Sequence, residues 1–237
     1  MGNIIIKFDG ISKIYNPGDA EVRALDGVSF DIEEGEFTSV IGPSGSGKST
    51  LMHIMGCLDV ATIGTYYLDG QPIDYYTEND LAAVRGHKIG FVFQTFNLIG
   101  RMSVEENIEL PLVYLGVKPN IRKGLVDNAL EMVGLSDRRK HKPNEISGGQ
   151  QQRAAIARAV VTDPSLILAD EPTGNLDSKT SIEIIDHFKA LNSMGKTVVI
   201  ITHDPGVAAK TNRAISLMDG RIVSDSGANA LRDGGAI

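Results

Sequence analysis

The sequence predicts an α/β fold in which a mostly parallel sheet is combined with an antiparallel β layer and an α-helical subdomain. Short strand-like runs with Gly-containing turns open the chain, helical patterns fill 97–161, and strands alternate with helices after that stretch. Closely spaced strands favour antiparallel pairing, whereas strands that alternate with helices are typical of a parallel sheet. We therefore expect one domain over 1–237, with a core formed by 1–96 and 162–237 and a helical subdomain at 97–161.

Apolar runs bounded by turn residues predict the elements of the first 93 residues. The predicted strands are Ile4 to Phe8, Val28 to Ile32, Phe37 to Ile41, Tyr66 to Leu68 and Ile89 to Phe93. Gly adopts the backbone angles that tight turns require, so turns are expected at Asp26-Gly27, Glu34-Gly35 and Asp69-Gly70. Helices are expected at Lys48 to Met55 and Glu78 to Arg85.

Helix signals dominate the segment 97–161. Ser103 and Glu106 have capping-box spacing, in which each side chain accepts a hydrogen bond from the other residue's backbone N–H at a helix start. Between Ile121 and Val133, apolar residues at helical spacing form a stripe that we expect to lie in the core. Its members are Leu125, Ala129, Met132 and Val133.

Alternating strands and helices follow the helical region, which indicates parallel pairing. The predicted strands are Leu166 to Ala169, Thr197 to Thr202 and Ala214 to Met218, and the predicted helices are Lys179 to Leu191 and a short one after Pro205. Asp219-Gly220 then predicts a hairpin with Arg221 to Ser224. The Gly-, Ala- and Asp-rich end of the chain predicts a loose tail.

Composition limits the possible functions. A chain of 237 residues with 42% hydrophobic residues can bury a substantial core. The net charge of −7 disfavours duplex DNA as a partner, because DNA binding usually requires a concentrated basic face. The single cysteine, Cys57, cannot form an internal disulfide, and we expect neither a signal peptide nor a lipid anchor. A cytosolic location follows, and any membrane role must use another chain, since no apolar run approaches about 20 residues.

One segment fits the phosphate-binding pattern G-x-x-x-x-G-K-[ST] between a predicted strand and a predicted helix. Its glycines let successive N–H groups and the helix N-terminus point at a phosphate, and its lysine adds a charge near the β- and γ-phosphate oxygens. The hydroxyl of Ser49 suits Mg²⁺. An ordinary Gly/Ser turn is the alternative. The predicted nucleotide-binding residues are Gly42, Pro43, Ser44, Gly45, Ser46, Gly47, Lys48, Ser49 and Thr50.

A second chemical element is the pair Asp170 and Glu171 at the end of a predicted buried strand. Ligands gather at the carboxyl edge of parallel sheets. Neighbouring side chains leave a strand in opposite directions, so the two carboxylates are expected to have different roles. We expect Asp170 to reach the Mg²⁺ shell and Glu171 to orient and deprotonate water, a solvated acidic strand end being the alternative.

A second glycine segment, Ser147, Gly148, Gly149 and Gln150, lies about a hundred residues after the phosphate-binding loop. It opens a predicted helix that runs to Val161, and the N-terminus of a helix attracts anions. Two anion-binding loops for one nucleotide imply a partner chain. A helix-capping role for Ser147 uses the same geometry and is the alternative.

The order of these motifs resembles that of ABC-transporter nucleotide-binding domains over nearly the whole chain. The matching residues are the phosphate-binding loop, Gln94, Ser147 to Gln150, Asp170, Glu171, Asp177 and His203. The resemblance implies a P-loop ATPase core that binds ATP and Mg²⁺ and hydrolyses ATP to ADP and phosphate. Domains of this family pair head to tail, which implies that Ser147 to Gln150 bind the nucleotide held by the partner copy.

The resemblance also implies roles for individual side chains. Tyr15 resembles the aromatic residue that stacks on adenine, a core tyrosine being the alternative. Gln94 resembles the glutamine that contacts Mg²⁺ and the attacking water, and His203 the histidine that contacts the γ-phosphate. Asp177 matches a loop that communicates across the dimer at the nucleotide, although capping the following helix is an equal alternative.

Three stretches, Met55 to Asp59, Phe91 to Leu98 and Gly174 to Thr180, resemble the macrolide-export and lipoprotein-release subfamily. The implied partners are a second copy of the chain, an integral membrane permease and, through the permease, a periplasmic or extracellular adaptor. The implied place is the cytoplasmic face of the membrane, and the implied role is export, lipoprotein release or resistance to macrolides or antimicrobial peptides. No nucleic-acid partner is expected.

Two other classes compete with this interpretation. A soluble ABC ATPase acting on DNA or ribosomes usually carries long coiled coils or tandem domains, whereas this sequence has no sustained heptads and only one phosphate-binding loop. A small-molecule kinase with a phosphate-binding loop would leave Ser147 to Gln150 without a role.

Two surface segments have weaker signals. Asn97 to Arg101 is the candidate contact with the membrane subunit, with an ordinary surface loop as the alternative. A basic run formed by Arg138, Arg139, Lys140 and Lys142 is expected to be a solvated loop rather than an anion site.

Overall fold

A computed structural model describes residues 2–16, 18 and 21–227. Two compact units are present, one containing the described residues up to Leu81 and from Thr197 onward, the other containing Ala82–Lys196. The predicted helical segment 97–161 lies within the second unit. Most of the predicted loose tail, 228–237, lies outside the described residues.

The strands of the described chain are β1 (Ile4–Tyr15), β2 (Val22–Glu33), β3 (Phe37–Ile41), β4 (Ile63–Leu68), β5 (Gln71–Pro72), β6 (Ile89–Phe93), β7 (Leu166–Asp170), β8 (Thr197–Thr202), β9 (Arg213–Met218) and β10 (Arg221–Asp225). The α-helices are α1 (Lys48–Met55), α2 (Glu78–Lys88), α3 (Val104–Tyr114), α4 (Pro119–Met132), α5 (Gly148–Val160), α6 (Ser178–Ser193) and α7 (Pro205–Ala208). Across the described part of the chain, no helix combines the length and apolarity that crossing a bilayer requires.

The first unit contains the predicted antiparallel layer, with strand order β2-β1-β4-β5. Its inner face is apolar and includes the buried rings of Phe8 and Tyr66, whose centroids lie 4.8 Å apart. The turn predicted at Asp26-Gly27 was wrong, because both residues lie inside β2. The pairing passes from Leu25 opposite Lys13 to Val28 opposite Ile11, so these two residues face one residue of β1 and form a bulge.

The first unit also contains parallel strands. β3 lies between β8 and β9 and is parallel to both, and the turn at Asp219-Gly220 joins β9 to the antiparallel strand β10. Every residue of β8 is buried, as expected for a central parallel strand. Ile41 pairs with Thr202 at the ends of β3 and β8, so the segments that follow these strands start at the same edge.

The second unit combines the parallel pair β6 and β7 with the helices α3, α4, α5 and α6. The capping box of α3 is confirmed, because Ser103 Oγ accepts from the backbone N–H of Glu106 at 3.2 Å and the Glu106 carboxylate accepts from the backbone N–H of Ser103 at 2.7 Å. A Cβ on Gly90 would overlap the backbone oxygen of Ala159, so glycine in β6 permits the close approach of α5.

The predicted stripe on α4 is partly wrong. Leu125 and Met132 are 37% and 42% exposed, whereas Val126, Ala129 and Leu130 are buried. Apolar residues occupy two adjacent faces of this helix, and the sequence pattern does not distinguish them. Packing of α4 against α3 and α5 decides which face is buried.

Candidate functional site

The phosphate-binding loop connects the end of β3 to the start of α1 in the first unit. Gly45 and Gly47 have φ angles of 81° and 101°, which side-chain-bearing residues rarely adopt. No side chain caps α1, and its first turn contains no acidic residue. The backbone N–H groups at this helix start are therefore available to bind an anion, and the helix dipole favours negative charge there.

Glycine is also required in this loop for close packing. A Cβ on Gly42 would overlap the backbone oxygen of Leu217, and a Cβ on Gly47 would overlap the backbone oxygen of Ala24. Both neighbours are backbone atoms, so they cannot move aside as a flexible side chain can. The loop backbone is thereby held in one path.

Two polar side chains of the loop have hydrogen-bonding capacity for a polyphosphate. Lys48 is 9% exposed, and its ammonium group donates to the carbonyl oxygens of Gly42 and Pro43, both at 2.8 Å. A lysine ammonium group has three donors, so one is available for a phosphate oxygen. Ser46 is 2% exposed and its hydroxyl group has no hydrogen-bond partner, which is costly unless a ligand supplies one. These residues fit a nucleotide polyphosphate.

His203 is the first residue after β8, at the sheet edge where the phosphate-binding loop begins. It directly follows β8, just as Gly42 directly follows β3, and the two strands end in register at Thr202 and Ile41. The His203 side chain is exposed. Sheet topology thus brings the predicted γ-phosphate contact to the edge that carries the phosphate-binding loop.

Tyr15 is held by polar contacts at the end of β1. Its hydroxyl group donates to Asp59 at 2.9 Å, and Lys13 donates to the other oxygen of Asp59 at 2.6 Å. The Lys13 ammonium group also lies 5.0 Å from the centre of the Tyr15 ring. Burial and the hydrogen bond to Asp59 raise the pKa of Tyr15, so the side chain is a neutral phenol that donates. Tyr15 is half-buried rather than part of the closed core.

Asp170, Glu171 and Gln94 meet at one edge of the second unit. Phe93 and Asp170 are paired at the ends of the parallel strands β6 and β7, and Gln94 and Glu171 are the next residues along the chain. All three predicted site residues are half-buried. The two adjacent strand ends therefore carry a carboxylate pair and an amide to the same place.

The alternation argument for Asp170 and Glu171 does not apply, because β7 ends at Asp170. Glu171 has a φ angle of 44°, in the left-handed region that is uncommon for residues other than glycine. Such a backbone costs of the order of 1 kcal/mol or more, and conformations of this kind cluster at functional sites. Strand pleating therefore does not set the direction of the Glu171 carboxylate.

The loop before α6 packs against Gln94. Asn175 donates its amide N–H to the backbone oxygen of Gln94 at 3.0 Å, and a Cβ on Gly174 would lie 2.5 Å from Gln94 Nε2. Asp177 caps α6, because one carboxylate oxygen accepts from the backbone N–H groups of Lys179 and Thr180, both at 3.0 Å. The capping alternative for Asp177 is therefore present in the structure.

Ser147 begins α5 with a capping box. Ser147 Oγ accepts from the backbone N–H of Gln150 at 3.3 Å, and the Gln150 side chain accepts from the backbone N–H of Ser147 at 2.9 Å. The Ser147 hydroxyl group keeps its own O–H for donation, so capping does not prevent an anion contact. The first turn of α5 contains no acidic residue, and Gly148 and Gly149 supply its first N–H groups.

Sequence reasoning missed the roles of Lys13, Asp59 and Arg158. The contacts of Asp59 with Tyr15 and Lys13 join residues 44 and 46 positions apart, and no local pattern indicates them. Arg158 did have a signal, since it is a single charged residue within the small and apolar run from Ala154 to Val161. The basic run is partly used in ion pairs, because Arg139 binds Glu105 at 2.6 Å and Asp127 at 2.8 Å.

A phosphate-binding loop between a strand and a helix, with carboxylates at the carboxyl ends of parallel strands, defines a nucleotide-hydrolysing protein of the P-loop type. Residues 25–174 match the family model described as ABC transporter, and the chain belongs to that family. Within it, the chain is an ATP-binding cassette with ATPase activity.

Relatives and solved structures place the chain more closely. It is 52% identical over 222 residues to the ABC transporter ATP-binding protein YknY of Bacillus subtilis, covering 94% of this chain and 96% of YknY. It is 48% identical over 223 residues to the macrolide export ATP-binding/permease protein MacB of Hyphomonas neptunium, covering 94% of this chain but 35% of MacB. The ATP-binding cassette MJ0796, solved as a dimer in a post-hydrolysis state with ADP and Pi, has a TM-score of 0.85 and 45% identity, covering 93% of this chain and 97% of MJ0796.

Proposed function

We propose that the chain binds Mg·ATP in a head-to-tail homodimer and hydrolyses it to drive a separate membrane protein. The observation that carries the proposal is the presence of two glycine-led helix starts, α1 and α5, each without an acidic residue in its first turn. One nucleotide occupies one such loop in its own chain, and the other loop is then available to a partner's nucleotide. The dimeric structure of the MJ0796 cassette supports a dimer.

The proposed division of roles follows from side-chain chemistry. Lys48 and the start of α1 bind the phosphates, and the Tyr15 ring stacks on the base. Ser49, Gln94 and Asp170 would hold the Mg²⁺ that accompanies ATP, because each side chain offers an oxygen ligand; among the described residues no three His, Cys, Asp or Glu side chains form a metal cage. When bound, Mg²⁺ neutralises charge on the phosphate oxygens.

The proposed general base is Glu171, which orients water and accepts its proton. His203 contacts the γ-phosphate and Gln94 the attacking water. Ser147, Gly148, Gly149 and Gln150 contact the partner's nucleotide, and Asp177 lies at the dimer interface in addition to capping α6.

The proposed membrane partner is a permease, and the proposed location is the cytoplasmic face of the membrane through that permease. Support comes from MacB, in which a sequence like this one occurs in an ATP-binding/permease protein about three times as long. We propose export, lipoprotein release or macrolide or antimicrobial-peptide resistance as the process, with an adaptor reached through the permease.

Glu171→Gln tests the ATPase assignment and the dimer together. The variant is expected to bind ATP, to hydrolyse it at least about a hundredfold more slowly, and to elute as a dimer at saturating Mg·ATP in size-exclusion chromatography. Glu131→Gln, an exposed change on α4, is the matched control and is expected to match the parent. A Glu171→Gln protein that remains monomeric would contradict the proposed head-to-tail homodimer.

Ser147→Arg tests the role of the second glycine segment. The variant is expected to bind nucleotide normally but to lose turnover, because the arginine blocks approach of a partner's nucleotide. Ser193→Arg, at an exposed position on α6, controls for the added charge and volume. Undiminished turnover in Ser147→Arg would remove Ser147 from the site.

A further inference from the structure

Arg158, in the last turn of α5, makes contacts that the proposed function does not use. Its guanidinium group donates to the backbone oxygen of Asn97 at 2.6 Å and to that of Phe96 at 3.0 Å. Burial lowers the pKa of Arg158, and among the described residues no carboxylate forms an ion pair with it. Burying a guanidinium group that has only two carbonyl groups as partners costs free energy of folding.

The two residues that Arg158 binds have an unusual backbone. Phe96 and Asn97 have φ angles of 59° and 50°, so two consecutive residues with side chains are left-handed directly after Thr95. For a bulky residue such as Phe this conformation is an outlier. In this conformation the carbonyl groups of Phe96 and Asn97 both accept hydrogen bonds from the Arg158 guanidinium group, whose planar donors suit paired acceptors.

Phe96 also reaches the other end of α5. A Cβ placed on Gly148 would lie 3.7 Å from Phe96 Cζ and 3.5 Å from Leu176 Cδ2. The ring of Phe96 therefore lies beside the first turn of α5, and its carbonyl group binds the side chain of Arg158 in the last turn. These contacts connect the position of Phe96 to both ends of α5.

The segment continues to a second anchor on α3. Asn107 is fully buried, accepts from the backbone N–H of Ile99 at 2.7 Å and donates to the backbone oxygen of Ile99 at 3.2 Å. The segment 96–101 is thus fixed to α5 at its start and to α3 at Ile99. Side chains from two helices therefore hold the backbone of this segment by hydrogen bonds.

We propose that Arg158 is a positioning residue that makes 96–101 move with α5, so that engagement of Ser147 to Gln150 by a partner's nucleotide is transmitted to this segment. The inference rests on the proposed function, because it requires that α5 responds to nucleotide at its N-terminus. The segment contains Asn97 to Arg101, the candidate contact with the membrane subunit. Arg158 touches neither nucleotide nor water in this role and acts only through backbone it holds.

Hydrogen exchange on the full chain tests the coupling. In Glu171→Gln protein, saturating Mg·ATP is expected to slow exchange both at 147–150 and at 96–101. Adding Arg158→Met is expected to keep the slowing at 147–150 and to reduce the slowing at 96–101 by roughly tenfold or more, as removal of hydrogen bonds to a charged donor implies. Arg153→Met removes another arginine from α5, one that pairs with Glu183 at 3.6 Å, and is expected to leave both changes intact.

The outcomes separate the proposed dimer from the proposed coupling. Faster exchange at 96–101 by the same factor with and without ATP would indicate a purely structural role and overturn the coupling. An absence of ATP-dependent slowing at 147–150 in the Glu171→Gln protein would overturn the proposed dimer, and the coupling with it.

If Arg158→Met does not fold, Arg158→Lys is tested in the same assay, because lysine keeps the charge but lacks the planar guanidinium group. Reduced slowing of exchange at 96–101 supports the coupling, and full slowing overturns it.

Discussion

Replacing Asp59 with Ala is expected to weaken ATP binding through Tyr15, although Asp59 itself does not contact the base in the proposed site. The Asp59 carboxylate accepts from Tyr15 at 2.9 Å and from Lys13 at 2.6 Å, so it fixes both side chains. Without it the Tyr15 ring regains rotamers that binding must remove, at about 0.5–1.5 kcal/mol. The Kd for ATP should rise about twofold to twelvefold.

Stability should fall as well, because three hydrogen bonds to a partly buried carboxylate are lost, from Tyr15, Lys13 and the backbone N–H of Val60. At about 2 kcal/mol, the Tm should decrease by roughly 4–8 °C for a chain of this size. The binding assay is calorimetric titration at a temperature well below the lowered Tm. Asp59→Asn, which keeps one acceptor oxygen for the Tyr15 hydroxyl group, is the matched variant and should lose less affinity.

Inorganic tripolyphosphate separates base stacking from phosphate binding, because it has the phosphate chain without the base. Its affinity should be the same in Asp59→Ala and in the parent, since the contacts of Lys48 are unchanged. Equal weakening for ATP and tripolyphosphate would refute the proposed link through Tyr15. Unchanged ATP affinity in Asp59→Ala, in a protein where Tyr15→Ala weakens ATP binding, would refute it too.

Three further changes have expected outcomes. Arg213→Met should lower the Tm by about 6–12 °C, because the partly buried carboxylates of Asp225 and Glu36 lose the guanidinium group that binds them at 2.6 Å and 3.0 Å. Burial by itself would raise the pKa of Asp225, but the hydrogen bonds from Arg213 outweigh this effect and the pKa is lowered. The ionised carboxylate therefore stabilises the folded protein above about pH 4, and this stabilisation is lost as the pH falls through the lowered pKa. Asp225→Asn should accordingly make the free energy of unfolding depend less on pH in that range. Gly42→Ala should weaken ATP binding more than tenfold because of overlap with the Leu217 backbone, whereas Gly124→Ala, in open space, should not.

Elements defined by a continuous local pattern were predicted well. The predicted bounds of β3, β6, β8 and α1 agree with the structure, because each strand is a short run dominated by β-branched and aromatic residues and α1 begins at a fixed motif. Asp26-Gly27 was not predictable in this way. The same two residues suit a hairpin turn and a strand bulge, and only pairing with β1 distinguishes the two.

The candidate site likewise has a part that the sequence predicts and a part that it does not. The phosphate-binding loop, the Asp170-Glu171 pair and the Ser147 segment are contiguous in sequence, so the order of residues alone indicates their chemistry. Their roles at the nucleotide remain predictions. The left-handed backbone of Glu171 is not predictable in the same way, because it depends on where β7 ends rather than on the residue types alone.

The sequence by itself determined the fold class, the family and the kind of ligand, because these depend on short motifs and on the order of strands and helices. The tertiary structure decided how the functional side chains are held. Asp59 binds both Tyr15 and Lys13, and Arg158 binds Phe96, across 44 to 62 positions of the chain. Such contacts form only when distant segments pack together, and a periodic pattern within one segment contains no information about which distant residue completes them.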